Sequence, residues 1–135
     1  MRRWWGPPDV EPEAETLRET RVAMWIAAIG ARPLAFIQDY AVADWMPHHF
    51  SYLPPGSRGM DLYIGEREEI GRGHGARIVR QHVEHLFDLG APAIGIDPHP
   101  DNEPALRAFA RADFVTGSGP IDTRWGRAML MHRFA

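Results

Sequence analysis

Cysteine is absent from the 135 residues, which excludes a disulfide, a thiolate metal site and a cysteine nucleophile. No apolar run is long enough to span a bilayer and no apolar leader follows Met1, so no membrane partner is expected and the expected compartment is the cytoplasm. Charge of either sign is in little excess: 15 Lys and Arg against 18 Asp and Glu leave a net charge of −3 with His neutral. That balance is too small to steer a polycation, and it disfavours nucleic acid as a partner. Metal-ligand patterning is missing too. His82 and His85 lie three apart and His48 adjoins His49, but no His-Glu-x-x-His or other ordered cluster supplies the converging ligands of a zinc site. No metal is expected, and His82, on an apolar stripe, reads as a hydrogen-bonded core histidine.

What is present is ordinary for a small globular protein. Hydrophobic residues make up 44% and charged residues 24%, and 135 residues are the size of one domain, here 1–135. Residues 1–12 read as an irregular lead-in rich in Trp and Pro, and 13–21 as a short polar helix. Val22 to Ala28 and Pro33 to Tyr40 are apolar runs that form a hairpin. Residues 41–57 mix aromatic residues, His and Pro in a loop long enough to be functional. Met60 to Gly65 is the next strand. From Ala76 to Leu89, Ile78, Val79, His82, Val83, Leu86 and Phe87 recur at helical spacing, and Gly90 ends the helix. Ala93 to Ile96 reads as a buried strand, and 103–112 as a helix capped by Asp101 or Asn102. Phe114-Val115 and Ala128 to Phe134 are closing strands, joined by a turn at Gly117-Ser118-Gly119-Pro120. The result is a mixed α/β chain.

The most informative stretch is Ile70-Gly71-Arg72-Gly73-His74-Gly75-Ala76, placed between a strand and a helix. Alternating glycines let successive backbone N–H groups turn into one concavity, which the positive end of the helix dipole supports. Phosphate oxygens suit such a receptor; a plain strand-to-helix turn is the alternative. A Walker A loop would need Lys-Ser/Thr after the last glycine, and none is there. A dinucleotide fingerprint would need glycine at 78, where the chain has Ile78.

The arrangement resembles the acetyl-CoA pyrophosphate loop of the GNAT acyltransferase superfamily, Gln/Arg-x-x-Gly-x-Gly/Ala, with Ile70 at its first place. The second half of that signature, Asn-x-x-Ala-x-x-x-Tyr-x-x-x-Gly-Phe, is met by Asn102, Ala105 and Phe114, while Phe109 replaces the tyrosine and Asp113 the glycine. Arg58-Gly59-Met60-Asp61, Asp97-Pro98-His99-Pro100-Asp101-Asn102 and Trp4-Trp5-Gly6 look like the corresponding motifs of aminoglycoside 6'-N-acetyltransferases. In those enzymes the Trp-Trp-Gly follows a first strand and helix, so the chain is expected to lack these opening elements.

The resemblance implies an α/β (α+β) GNAT fold, a mixed and mostly antiparallel sheet flanked by helices. It implies acetyl transfer from acetyl-CoA to a primary amine of an aminoglycoside-like small-molecule acceptor, the chemistry of antibiotic resistance. Pyrophosphate would lie on Ile70 to Ala76, and pantetheine along Leu62, Tyr63 and Ile64 with Asn102 near its arm. Asp61 matches the family's catalytic aspartate, able to hold the acceptor's ammonium and take its proton; a strand-end Asp bonding its own turn is the plainer reading. Asp97 is the second catalytic and substrate-binding candidate, or braces its loop. Asp44, with Asp39, is placed near an amine pocket, against the plainer reading of solvated loop carboxylates. Phe109 cannot protonate the leaving thiolate, which leaves Tyr63, His99 or water. Two competing readings stand beside this one: a shortened CoA-binding protein without turnover, held as a homodimer, and an acyltransferase for a siderophore-type hydroxylysine.

Overall fold

In the computed structural model, residues 2–3, 21–29, 32–64 and 74–135 are described. The elements run β1 (Arg2–Arg3), β2 (Val22–Ile29), β3 (Arg32–Ala41), a 3-10 turn (Val42–Trp45), β4 (Arg58–Ile64), α1 (His74–Asp88), β5 (Ala93–Ile96), α2 (Glu103–Arg111), β6 (Val115–Thr123) and β7 (Gly126–Phe134). The strands form one sheet in the order β1-β2-β3-β4-β5-β7-β6. Every pairing is antiparallel except β4 with β5. This is the mostly antiparallel sheet with helices that the resemblance implies.

Side chains alternate across the sheet and so sort into two faces. On one face Ile37, Met60, Ile94, Ile96 and Met131 pack with Val79, Val83 and Leu86 of α1 and Phe109 of α2. On the other, Ala93, Ala128 and Leu130 pack with Val42, Phe50 and Leu53 from the 42–57 loop. α1 turns its apolar stripe to the first face and ends in a Schellman motif: Ala91 N–H donates to the Leu86 carbonyl, Gly90 N–H to that of Phe87, and Gly90 takes φ 104°. Asn102 caps α2, its Oδ1 accepting the Ala105 N–H at 3.3 Å. Asp113, at the place of the signature glycine, takes φ 71° after α2, a conformation that Asp tolerates better than most residues.

A buried carboxylate ties the first face together. Asp39 is 1% exposed. Its Oδ2 accepts from Trp25 Nε1 and His82 Nε2, both at 2.8 Å, and its Oδ1 from Arg58 Nε at 2.8 Å and Nη2 at 2.6 Å. Strands β2, β3 and β4 and helix α1 thus meet at one residue. His82 is the hydrogen-bonded core histidine that its stripe position suggested. Asp39, by contrast, is no loop carboxylate and lies away from the aromatic loop, because Ile37 and Asp39 share the helix-side parity of β3.

Two paired glycines make room on the opposite face. Gly59 and Gly95 are register partners. A Cβ on Gly59 would lie 2.2 Å from Tyr40 Cζ, and one on Gly95 2.7 Å from the Phe50 ring. Gly59→Ala is therefore expected to lower stability by about 2 kcal/mol through overpacking, read as a fall in thermal midpoint; an unchanged midpoint would show that Tyr40 moves away freely.

Two sequence expectations end differently, and others fall on residues that are not described. The Gly117–Pro120 segment is not the closing turn. It lies within β6, where register shifts between Thr116 and Ser118 and between Ser118 and Ile121 absorb it, as an edge strand permits. The turn is at Arg124 and Trp125, closed by Thr123 Oγ1 donating to the Gly126 carbonyl at 2.7 Å, with Gly126 at φ 123°. The loop after β3 also holds a 3-10 turn. Finally, the Trp4-Trp5 lead-in, most of the helix expected over 13–21, and Ile70, Gly71, Arg72 and Gly73 lie outside the described residues.

Candidate active site

The sheet opens where its one parallel pair ends. β4 and β5 pair from Arg58 with Ile94 to Met60 with Ile96, and β4 then continues alone on that side to Ile64. Every second backbone N–H and C=O of residues 61–64 therefore faces a gap instead of a strand. A cavity of about 190 Å³ occupies the gap, lined by Asp61, Leu62 and Tyr63 on one side, Asp97 and Pro98 on the other, and Asn102 and Phe109 of α2 behind. An extended chain bearing amides could add to this edge as a further strand would.

A second cavity, of about 500 Å³, opens on the loop face between Tyr40, Trp45, His48, Trp125 and Arg127. Asp61, Tyr63 and Asp97 line both cavities. These residues stand at the junction for a topological reason: Gly59, Asp61 and Tyr63 share one face of β4, and Asp97 is the first residue beyond β5. Asp44, by contrast, is exposed and lines neither cavity, because the 3-10 turn sends Val42 inward and Trp45 to the cavity while Asp44 points to solvent.

Electrostatics at the junction are those of two carboxyls sharing a proton. Burial pushes the Asp61 carboxyl up to about 6, helped by the charge of Asp97 and a hydrogen bond with it, and opposed by His49. His49 Nε2 lies 2.8 Å from Asp97 Oδ2. The neighbouring His48 is held neutral, lowered to about 4 by burial and then by the charges of His49 and Arg124. Its Nδ1 accepts the Phe50 N–H at 3.0 Å, so Nε2 carries the hydrogen and donates to Tyr40 Oη at 3.1 Å. The Tyr40 proton is then left for the cavity. Burial, with the charges of Asp97 and Asp61, raises the Tyr40 pKa and keeps that proton on the phenol.

Aromatic rings wall the larger cavity. Trp125 stands 5.0 Å from the His48 ring and 5.6 Å from that of His49. Arg124 stacks 4.0 Å over Trp125 and donates from Nη2 to the Trp45 carbonyl at 2.6 Å, latching the β6–β7 turn to the 3-10 turn. Of the residues expected from sequence, the structure brings Asp61, Asp97, Leu62, Tyr63 and Asn102 to one place. The backbone of Ile64 belongs to the same edge, and His74, Gly75 and Ala76 open α1 directly after the glycine run. His99 is exposed and lines neither cavity. Sequence reasoning missed Tyr40, His49, Trp125 and Arg127; the aromatic content of 41–57 was the one pointer to this wall. Among the described residues no group of three or more His, Asp or Glu is arranged to hold a metal ion.

Comparison with known proteins identifies the fold and the family. An aminoglycoside N(6')-acetyltransferase type 1 of Klebsiella pneumoniae is 29% identical over 142 residues, spanning 95% of this chain and 69% of that protein. A kanamycin resistance protein of Rhizobium radiobacter is 37% identical over 78 residues, 57% of this chain and 71% of that protein. The crystal structure of aminoglycoside acetyltransferase AAC(6')-Ib in complex with coenzyme A and kanamycin matches with a TM-score of 0.76 at 30% identity, over 89% of this chain and 70% of that one. The family described as acetyltransferase (GNAT) domain matches residues 1–119, and the chain belongs to that family.

Proposed function

We propose that the chain transfers the acetyl group of acetyl-CoA to a primary amine of an aminoglycoside such as kanamycin, with Asp61 as the base. The observation that carries this reading is the Asp61–Asp97 pair at the junction of two cavities, one edged by free strand backbone and the other walled by aromatic rings. The smaller cavity takes the pantetheine arm along Leu62, Tyr63 and Ile64, beside Asn102. The glycine run Ile70-Gly71-Arg72-Gly73-His74-Gly75-Ala76 takes the pyrophosphate, which the start of α1 supports with its dipole.

The larger cavity takes the acceptor. Asp61 and Asp97 hold its ammonium, and Trp45 and Trp125 offer flat faces to an amino-sugar ring. Asp61 removes the ammonium proton, the free amine attacks the thioester carbonyl, and the C–S bond breaks as the amide forms. Tyr63 lines both cavities and gives the leaving thiolate the proton that Phe109 cannot, and it regains one as the nitrogen sheds its second proton on becoming the amide. Acetylation removes a positive charge from the antibiotic, and acetyl-CoA as donor places the reaction in the cytoplasm.

Calorimetric titration tests the donor site. Gly73→Asp puts a side chain and a negative charge where pyrophosphate would lie, and is expected to weaken CoA at least about fivefold, since two like charges a few ångströms apart repel by more than about 1 kcal/mol. Equal affinity for the variant and the parent would remove the glycine run from the CoA site.

A further inference from the structure

The pair of carboxyls does not stand alone. His49 comes from the 42–57 loop, 48 residues before Asp97, and meets Asp97 Oδ2 at 2.8 Å. The side chains of His49 and Asp97 are 7% and 19% exposed, so water competes weakly for this bond. Phe50, at 0% exposure, anchors the loop beside it, its ring 4.6 Å from the His49 ring. His49 is therefore held in place by the packing of its neighbour.

An ionised carboxylate can only accept, so toward the Asp97 anion His49 Nε2 is the donor. The proton that a carboxyl pair must share is then left with Asp61, whose carboxyl is the one pushed up. We propose that His49 is a positioning residue for acetyl transfer: by donating to Asp97 it fixes which carboxyl of the pair carries charge and sets the pH at which Asp61 becomes a base. The proposal rests on the reading of Asp61 as base, and neither the family signature nor any motif in the sequence marks His49.

The groups facing the pair from the elements around it are Tyr63 of β4, Tyr40 of β3, His48 and His49 of the loop, and Arg127 of β7, with Arg124 of the β6–β7 turn acting on His48. Of these, His49 meets a member of the pair directly, its Nε2 2.8 Å from Asp97 Oδ2. Its charge also opposes the upward push on Asp61 from burial and from Asp97. Without His49 the pair should hold its proton to higher pH.

The test is the pH profile of kcat/KM for the parent, His49→Ala and His49→Gln, with carboxyl carbon NMR titration of Asp61 in the absence of acetyl-CoA. His49→Ala is expected to move the acid limb and the Asp61 titration up together by about one pH unit. Its rate would then fall roughly fivefold at pH 6 and by less than about threefold on the alkaline plateau. His49→Gln keeps a neutral donor and should move both by less; it carries the test if the alanine variant does not fold. A uniform loss of rate at every pH, with the Asp61 titration unmoved in the variants, would reduce His49 to a structural role and overturn the proposal. Asp61→Asn, run in parallel, separates the two failures: full rate in that variant refutes Asp61 as base, whereas a dead Asp61→Asn with an unmoved His49 profile refutes His49 alone.

Discussion

Asp61→Asn is expected to lower kcat by about a thousandfold and, at neutral pH, to make the protein more stable. The rate loss follows from removing a general base, typically worth 10²–10⁴-fold. The stability gain follows from the direction of the Asp61 shift. Its carboxyl is pushed from 3.8 up to about 6, so the folded chain binds that proton more tightly than the unfolded chain. Such a group stabilises the fold fully below its unfolded value and loses that contribution as pH rises through the folded one. Above pH 6 the charged carboxylate is therefore held at a cost of about 3 kcal/mol, which Asn does not bear. Thermal melts at pH 7.5 should favour the variant, and melts at pH 4 should bring the two proteins close. A variant less stable than the parent at pH 7.5 would mean that the charged Asp61 is solvated by partners other than Asp97.

Arg58→Ala should produce the opposite pattern, a large loss of stability with little loss of chemistry. Arg58 is the guanidinium partner of Asp39, with side-chain exposures of 27% and 2%. Breaking a buried pair by removing one member leaves an uncompensated charge, at about 3–5 kcal/mol. Partial exposure of Arg58 and the remaining bonds from His82 and Trp25 argue for the lower end, about 3 kcal/mol, or roughly 10 °C in thermal midpoint. The pH sign is reversed relative to Asp61. Burial alone would raise the Asp39 pKa, but the hydrogen bond of His82 and the charge of Arg58 outweigh it and lower it below 3.8. Its contribution is present above 3.8 and is lost as the pH falls further. The gap between parent and variant should therefore be full at neutral pH and close in acid. Because Asp39 lies on the helix face, kcat measured at low temperature, where the variant is folded, should stay within about threefold of the parent, a change of less than 1 kcal/mol in barrier. A much larger fall would mean that this buried pair also places Asp61, three residues along β4 from Arg58.

These two carboxylates show what the sequence could and could not disclose. The apolar stripe of α1, the buried run of β5 and the Asn102 cap are local patterns of period or position, and each stands where its pattern put it. Asp61 and Asp97 were legible through a motif whose spacing stands for a fold. Their conjunction with His49 was not, since it joins residues 48 apart across a loop that carries no regular pattern. The Arg124 latch to Trp45 spans 79 residues and is hidden for the same reason. The closing turn was misplaced because Gly-Ser-Gly-Pro is a strong local turn signal. On an edge strand its demands are met by bulges, and the hairpin closes at Gly126. Asp39 was read as a loop carboxylate, because nothing in its neighbours declares that β3 turns that parity towards α1.

The most direct measurement is mass spectrometry of kanamycin incubated with acetyl-CoA and the purified chain, with release of the CoA thiol followed in the same reaction. A single acetyl group on one amine, formed in step with the thiol and lost in Asp61→Asn, is the expected result. Thiol release without acetylated amine, or no acetylated product while CoA binds, would contradict the account: the cleft would then hold its donor without an acceptor to serve.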